Sequence, residues 1–259
     1  MVRGMTTTPR LAAKDPRTVA RDIPGIFDVL FPQLAPGVVL HFNRESSKLG
    51  SCHEISLELV SQSSLQHAML FEIAVAGGEQ LVRGGAQIDI DAALKTATSR
   101  QRRHFDAKIP QNLTDIDRTI VQLVAENLER MLSKVREAHP NSDLIHSPRI
   151  PGYQWIASGN GDFSIDSLLI EVKCTNKPFS SSDYRQIMIY WLLSYATSVE
   201  GGAPEWRSAL LLNPRLNSMI TVNFEQMIQV IGAGRSKVDL LELFSSMIGD
   251  SGGRLLSHA

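Results

Sequence analysis

The clearest periodic signal along the chain lies in "LTDIDRTIVQLVAENLERMLSKVREAH". Ile116, Ile120, Val121, Val124, Leu128, Met131, Leu132 and Val135 recur at helical spacing and form one apolar stripe. Thr114 and Asp117 stand ahead of it at capping-box spacing, with Asp in place of the usual Glu. A second long helix is predicted in "SSSDYRQIMIYWLLSYATS", with Ser180 and Asp183 in capping positions. Between the two, short strands are predicted around Tyr153 to Ala157, Gly161 to Ile165 and Leu168 to Cys174. "WRSALLLNP" and "MITVNF" read as two further strands, and Phe224 to Ile231 and Lys237 to Ile248 as terminal helices. From residue 112 the order is therefore helix, three strands, helix, strand.

The pattern is less regular upstream. Ile23 to Leu34 reads as a short helix. "GVVLHF", Gly37 to Phe42, is an apolar run of strand type, and "ISLELV", Ile55 to Val60, alternates like a strand. "SSLQHAMLFEIAVAGG" fits a helix ended by Gly77-Gly78, although Phe71, Ile73 and Val75 also alternate. Asp89 to Phe105 is a predicted helix with acid at its start and base at its end, as the macrodipole favours. The first 22 residues are rich in Thr, Pro and Arg and lack the apolar stretch of a secretory signal, so they read as a flexible tail. The expected organisation is a tail (1–22), an N-terminal elaboration of mixed helix and strand (23–110), and an α/β core with C-terminal helices (111–259).

Composition narrows the chemistry. The chain has 259 residues, 43% hydrophobic and 20% charged, with a net charge of −1. No global field attracts polyanions, so an anionic partner must be held by a local patch or a metal. Cys52 and Cys174 are too few for a disulfide framework or an iron–sulfur cluster, and a reduced, cytoplasmic setting is expected. The seven histidines are scattered, with no paired zinc-ligand spacing. No apolar run approaches the roughly 18 to 20 residues of a membrane span, so no membrane partner is expected.

Candidate chemistry sits in "GDFSIDSLLIEVKC", residues 161–174, where Glu171 and Lys173 interrupt an otherwise buried strand. Charges in such a strand need partners or a job. If Asp166-Ser167 is a two-residue turn, counting outward pairs Ile165 with Leu168, Ser164 with Leu169, Phe163 with Ile170, and Asp162 with Glu171. Opposed residues share a sheet face, about 4.5–5.5 Å apart at Cβ, and Lys173 shares that face two residues on. Phe163, Ile170 and Val172 point the other way. Two opposed carboxylates repel, and a divalent cation such as Mg²⁺, which takes one or two carboxylates plus waters and phosphate oxygens, removes the conflict. A lysine beside it can orient water or stabilise charge on a phosphate. A longer turn would make Asp166 the alternative acid, since it has the parity of Asp162.

Asp162 followed by Glu171-Val172-Lys173 on the next strand resembles the core of the PD-(D/E)XK nuclease superfamily. Gln186 and Tyr190, in "QIMIY", are similar to the Q-x-x-x-Y motif of its RecB-like branch, and residues four apart share a helix face. The element order also resembles that of the restriction-endonuclease-like core, a mixed central sheet flanked by helices. The likeness spans residues 112 to 224, and Gly161 stands where the name-giving proline would. The resemblance implies a Mg²⁺- or Mn²⁺-dependent nuclease acting on DNA rather than RNA. Asp162, Glu171 and the Val172 carbonyl would hold the metal, and Lys173, Gln186 and Tyr190 would complete the catalytic set. It is compatible with phage defence, restriction and repair alike. A catalytically silent module of the same fold that binds nucleic acid or assembles with a partner protein is the alternative, and a homo-oligomer is compatible with either.

Asp106-Ala107-Lys108 also satisfies D-x-K but lacks a strand, which shows how weak the triplet is alone. Glu129, on the first long helix, is a candidate extra acid, and a solvated face explains it as well. Arg100, Arg102 and Arg103, in the densest basic cluster, and Lys177 are candidate phosphate contacts.

Overall fold

The computed structural model describes residues 14–22, 25–101, 110 and 112–256. Seven helices come first: α1 (Pro16–Asp22), α2 (Ile26–Leu30), α3 (Pro36–Arg44), α4 (Leu57–Ser61), α5 (His67–Val82), α6 (Ile90–Gln101) and α7 (Asp115–Ala138). Five short strands follow: β1 (Ile145–His146), β2 (Arg149–Ile150), β3 (Gly159–Asn160), β4 (Phe163–Ile165) and β5 (Leu168–Val172). Then come α8 (Ser181–Val199), β6 (Ser208–Asn213), β7 (Ser218–Asn223), α9 (Phe224–Ile231) and α10 (Lys237–Leu256).

The main sheet has five strands in the order β1-β4-β5-β6-β7. The β1/β4, β4/β5 and β6/β7 pairs are antiparallel, and β5/β6 is parallel. A parallel pair needs a crossover, and α8 supplies it. β2 and β3 form a separate antiparallel pair.

Strand parity sorts the core. Phe163, Ile165, Leu168, Ile170, Leu210 and Leu212 form one cluster with Leu128, Met131 and Leu132 of α7. Leu169, Ala209, Leu211, Ile220 and Val222 face the other way, into a cluster with Tyr184, Ile187 to Leu193, and the N-terminal residues Val19, Ile26, Phe27 and Leu30. α7 is amphipathic, its stripe lying against the sheet and α5, while α8 is buried on nearly every side, from Tyr184 to Ala196. Both long helices start at capping boxes. Thr114 Oγ1 accepts from Asp117 N at 3.2 Å while Asp117 Oδ2 accepts from Thr114 N at 2.9 Å. Asp183 Oδ2 likewise accepts from Ser180 N at 2.7 Å.

Several expected elements differ. Gly37 to Phe42 is not a strand but lies within α3, which starts at Pro36 in the first helical turn, where a missing N–H is harmless. Only one side of it is covered: Val39 is buried, whereas Leu40 is 56% exposed. Ile55 to Val60 gives way to α4, nucleated by Ser56, whose side chain accepts from Leu59 N at 3.1 Å. Gly77-Gly78 do not end α5. Gly78 lies so close to α7 that a Cβ there would stand 2.8 Å from Leu128 Cδ2, so the glycines serve helix contact instead. Tyr153 to Ala157 forms isolated bridges rather than a strand, and the first strand of the main sheet is Ile145–His146. The tail reading fails for residues 16–22, which form α1 against α8. The helix expected over residues 89–105 is described as far as Gln101, and the rest of it lies outside the described residues.

Candidate active site

The hairpin of β4 and β5 has the register Phe163↔Ile170, Ser164↔Leu169 and Ile165↔Leu168. The two-residue turn is therefore Asp166-Ser167, with Asp166 at φ 49°, a conformation Asp tolerates better than most residues. Continuing the register places Asp162 beside Glu171. Asp162 Oδ2 accepts from the Val172 amide at 2.8 Å, which pins the carboxylate to the edge of β5. Gly161 makes this approach possible, because a Cβ there would lie 3.2 Å from Leu169 Cδ1 and 3.3 Å from Pro148 Cγ.

Glu171 projects from the face of β5 that α8 covers and is 1% exposed. Its Oε1 accepts from Lys173 Nζ at 3.1 Å and from Gln186 Nε2, while Oε2 is buried without a partner. Lys173 Nζ also donates to Gln186 Oε1 at 2.8 Å and lies 3.9 Å from Asp183 Oδ1, the capping residue of α8. Gln186 Nε2 donates in turn to Tyr190 Oη at 3.0 Å. One turn of α8 thus holds Glu171 of β5 and Lys173 just beyond it, as the four-residue spacing of Gln186 and Tyr190 allows.

An arginine joins the cluster. Arg17 of α1 donates from Nε to Tyr190 Oη at 2.8 Å and from Nη2 to Asp162 Oδ1 at 3.2 Å. The same Nη2 lies 3.6 Å from Glu171 Oε1. Asp162, Glu171, Lys173 and Arg17 therefore meet in one place, with Asp183 at the edge of the cluster. Burial raises the Glu171 pKa to about 7; Asp162 adds to the rise, and Lys173 and Arg17 oppose it. For Arg17 burial works against the charged form, but Glu171 and Asp162 outweigh it and the guanidinium is held more firmly protonated than usual. Burial, followed by Glu171, also holds the Tyr190 phenol protonated. Cys174, next along the chain, has its thiol pushed up to about 12 by burial, with Glu72 adding to the effect, and is no nucleophile.

No protein-family model matches the sequence, and no curated protein matches it. What the cluster can do must be read from its own geometry.

The donor set suits a hard cation. Among the described residues no group of three or more His, Cys, Asp or Glu side chains is placed to hold a metal. Mg²⁺, however, is commonly bound through only one or two carboxylates, with water and phosphate completing the shell. Asp162 and Glu171 meet that need. Glu171 Oε2 is a buried acceptor with no hydrogen-bond partner, and a guanidinium lies between the two acids.

The remaining candidates are placed elsewhere. Asp166 sits at the turn, bonded to Ser142 Oγ and, at 2.9 Å, to His139 Nδ1. Glu129 accepts from Ser133 Oγ at 2.7 Å and lines a cleft of about 340 Å³ with Arg130 and Lys134. Arg100 is engaged by Glu72 and Glu79 at 3.1 and 2.9 Å. Arg102 and Arg103 lie outside the described residues. Lys177 is exposed in the loop after β5, where its carbonyl accepts from Thr175 Oγ1. Arg17 was not among the expected residues. The one sequence signal near it is Asp15-Pro16, a cap followed by proline in the first turn, and Asp15 Oδ1 does accept from Arg17 N at 2.6 Å.

Proposed function

We propose that this chain is a metal-dependent nuclease of the PD-(D/E)XK type, built on a restriction-endonuclease-like core and hydrolysing phosphodiester bonds in DNA. One observation carries the reading: Asp162, Glu171 and Lys173 converge on a single sheet face, under Gln186 and Tyr190 of the crossover helix. The topology supports it. Leaving aside the separate β2/β3 pair, a helix, three main-sheet strands linked by antiparallel pairing, a crossover helix and a parallel fourth strand follow in the order that the family resemblance implies.

Asp162, Glu171 and the Val172 carbonyl would hold Mg²⁺ or Mn²⁺. Such an ion supplies Lewis acidity at phosphate oxygens and eases deprotonation of water. The chain's own groups do the rest. The Lys173 ammonium is fixed by Glu171 and Gln186, so it is oriented before substrate arrives, and it stabilises negative charge as it develops on the phosphate. Gln186 links Glu171, Lys173 and Tyr190 and holds their spacing. A buried strand and helix are stiff supports, which suits groups that must be positioned closely.

Arg17 favours a second reading. It neutralises the carboxylates, and a satisfied ion cluster of this kind is also compatible with a silent module that binds nucleic acid or assembles with a partner protein. Cleavage separates the two. Linear and circular duplex DNA, single-stranded DNA and RNA are incubated with protein and Mg²⁺ or Mn²⁺, with Asp162→Asn as control. Metal-dependent cutting by the wild type alone is expected, and no cutting of any substrate selects the silent module.

A further inference from the structure

α1 delivers its cation to the candidate site from 145 residues away in sequence. Arg17 Nη2 stands 3.2 Å from Asp162 Oδ1 and 3.6 Å from Glu171 Oε1, so a single nitrogen lies between the two acids. Mg²⁺ bonds carboxylate oxygen at about 2 Å, and an ion shared by these oxygens would fall inside the van der Waals envelope of the guanidinium. An ion using Glu171 Oε2 instead would leave two cations facing each other across one buried carboxylate. Both arrangements are incompatible with Arg17 in its present place.

The backbone under Arg17 is well anchored. Val19 and Ala20 are buried in the cluster that includes α8. The Lys14 carbonyl accepts from Ala157 N at 2.9 Å, whereas the side chain is held by Tyr190 Oη, which accepts from Arg17 Nε at 2.8 Å. The arginine side chain itself is 41% exposed. It can therefore swing toward solvent while α1 stays docked.

Building on the metal-site reading above, we propose that Arg17 is a resident competitor of the metal. The guanidinium neutralises Asp162 and Glu171 in the metal-free protein, and a divalent ion enters by displacing it. Arg17 then sets the metal concentration at which the site becomes loaded, and it keeps two close carboxylates partnered until that point.

The test is Mn²⁺ binding to the full chain, followed by loss of the free-ion electron paramagnetic resonance signal. Wild type is compared with Arg17→Met, Arg17→Lys and Asp162→Asn. Arg17→Met keeps the apolar stem, removes the charge, and is expected to bind Mn²⁺ at least tenfold more tightly. Arg17→Lys, cationic but shorter, is expected to fall between. Equal or weaker binding by Arg17→Met overturns the competition and leaves the metal site standing. If wild type shows no Mn²⁺ binding that Asp162→Asn removes, the metal site fails and the competition with it. Wild-type protein gives a second readout that needs no altered Arg17. On addition of Mg²⁺, the Arg17 Nε–H resonance should lose its protection from solvent exchange, and an unchanged resonance at saturating Mg²⁺ overturns the proposal.

Discussion

The two faces of β5 carry alternate residues of one five-residue strand, yet they follow opposite rules. Leu168 and Ile170 face α7 in an apolar cluster with Leu128, Met131 and Leu132. Leu169 and, one step on, Glu171 face α8, where Glu171, Lys173, Asp162 and Arg17 meet. The first face stabilises by excluding water, and any apolar residue of similar volume would serve. On the second face ions are tolerated only because each has a fixed partner, an arrangement that is weak as a source of stability. The α8 face, where these ions are held, is the one that carries the proposed site.

The comparison breaks most severely if the dry face is given a charge. Ile170→Asp puts an unpartnered carboxylate against α7, at a cost of several kcal/mol against a total stability of about 5–15 kcal/mol. Circular dichroism is expected to show little or no folded protein at 25 °C. A variant as stable as wild type would show that the two faces do not differ as described.

The next effect is smaller and belongs to the charged face. With Glu171 raised to about 7 in the folded, metal-free protein, its stabilising protonated state is fully present below the unfolded-state value near 4.5. That contribution is lost as pH rises from there through about 7. In chelator, urea midpoints should therefore fall with pH across this window more steeply for wild type than for Glu171→Gln. Parallel pH profiles would show that the carboxylate is not destabilised by its surroundings. The smallest effect sharpens the boundary of the site. Asp166→Asn and Glu129→Gln remove acids whose partners lie elsewhere, and cleavage rates should stay within about twofold of wild type. A loss beyond tenfold in either would enlarge the site to include that acid.

Much of the site was legible because its parts are close in sequence. A two-residue turn fixes register by counting, so the shared face of Asp162, Glu171 and Lys173 followed from Asp166-Ser167 alone. α7 and α8 were legible from capping boxes and, for α7, a long stripe. The N-terminal elements were not. An apolar run such as Gly37 to Phe42 has no period that distinguishes strand from helix, and Pro36 was the decisive residue. Gly78 resembled a helix end because its reason for being glycine, the approach of Leu128, lies 50 residues away in the chain, while Gly77 makes room for Ile88 and Ala125. Arg17 was hidden for the same reason. Its partners are Asp162, Glu171 and Tyr190, and nothing in "PRTVARD" points to them.

Single-turnover cleavage of duplex DNA by Lys173→Met, set beside a DNA-binding titration, bears most directly on the assignment of Lys173 to the chemical step. Methionine preserves the apolar stem and removes the ammonium. An interaction specific to the transition state should vanish from the rate and not from ground-state affinity. Cleavage is expected to fall by at least about a thousandfold, roughly 4 kcal/mol of barrier, while DNA binding stays within a few-fold of wild type. Cleavage by Lys173→Met at the wild-type rate would contradict the assignment.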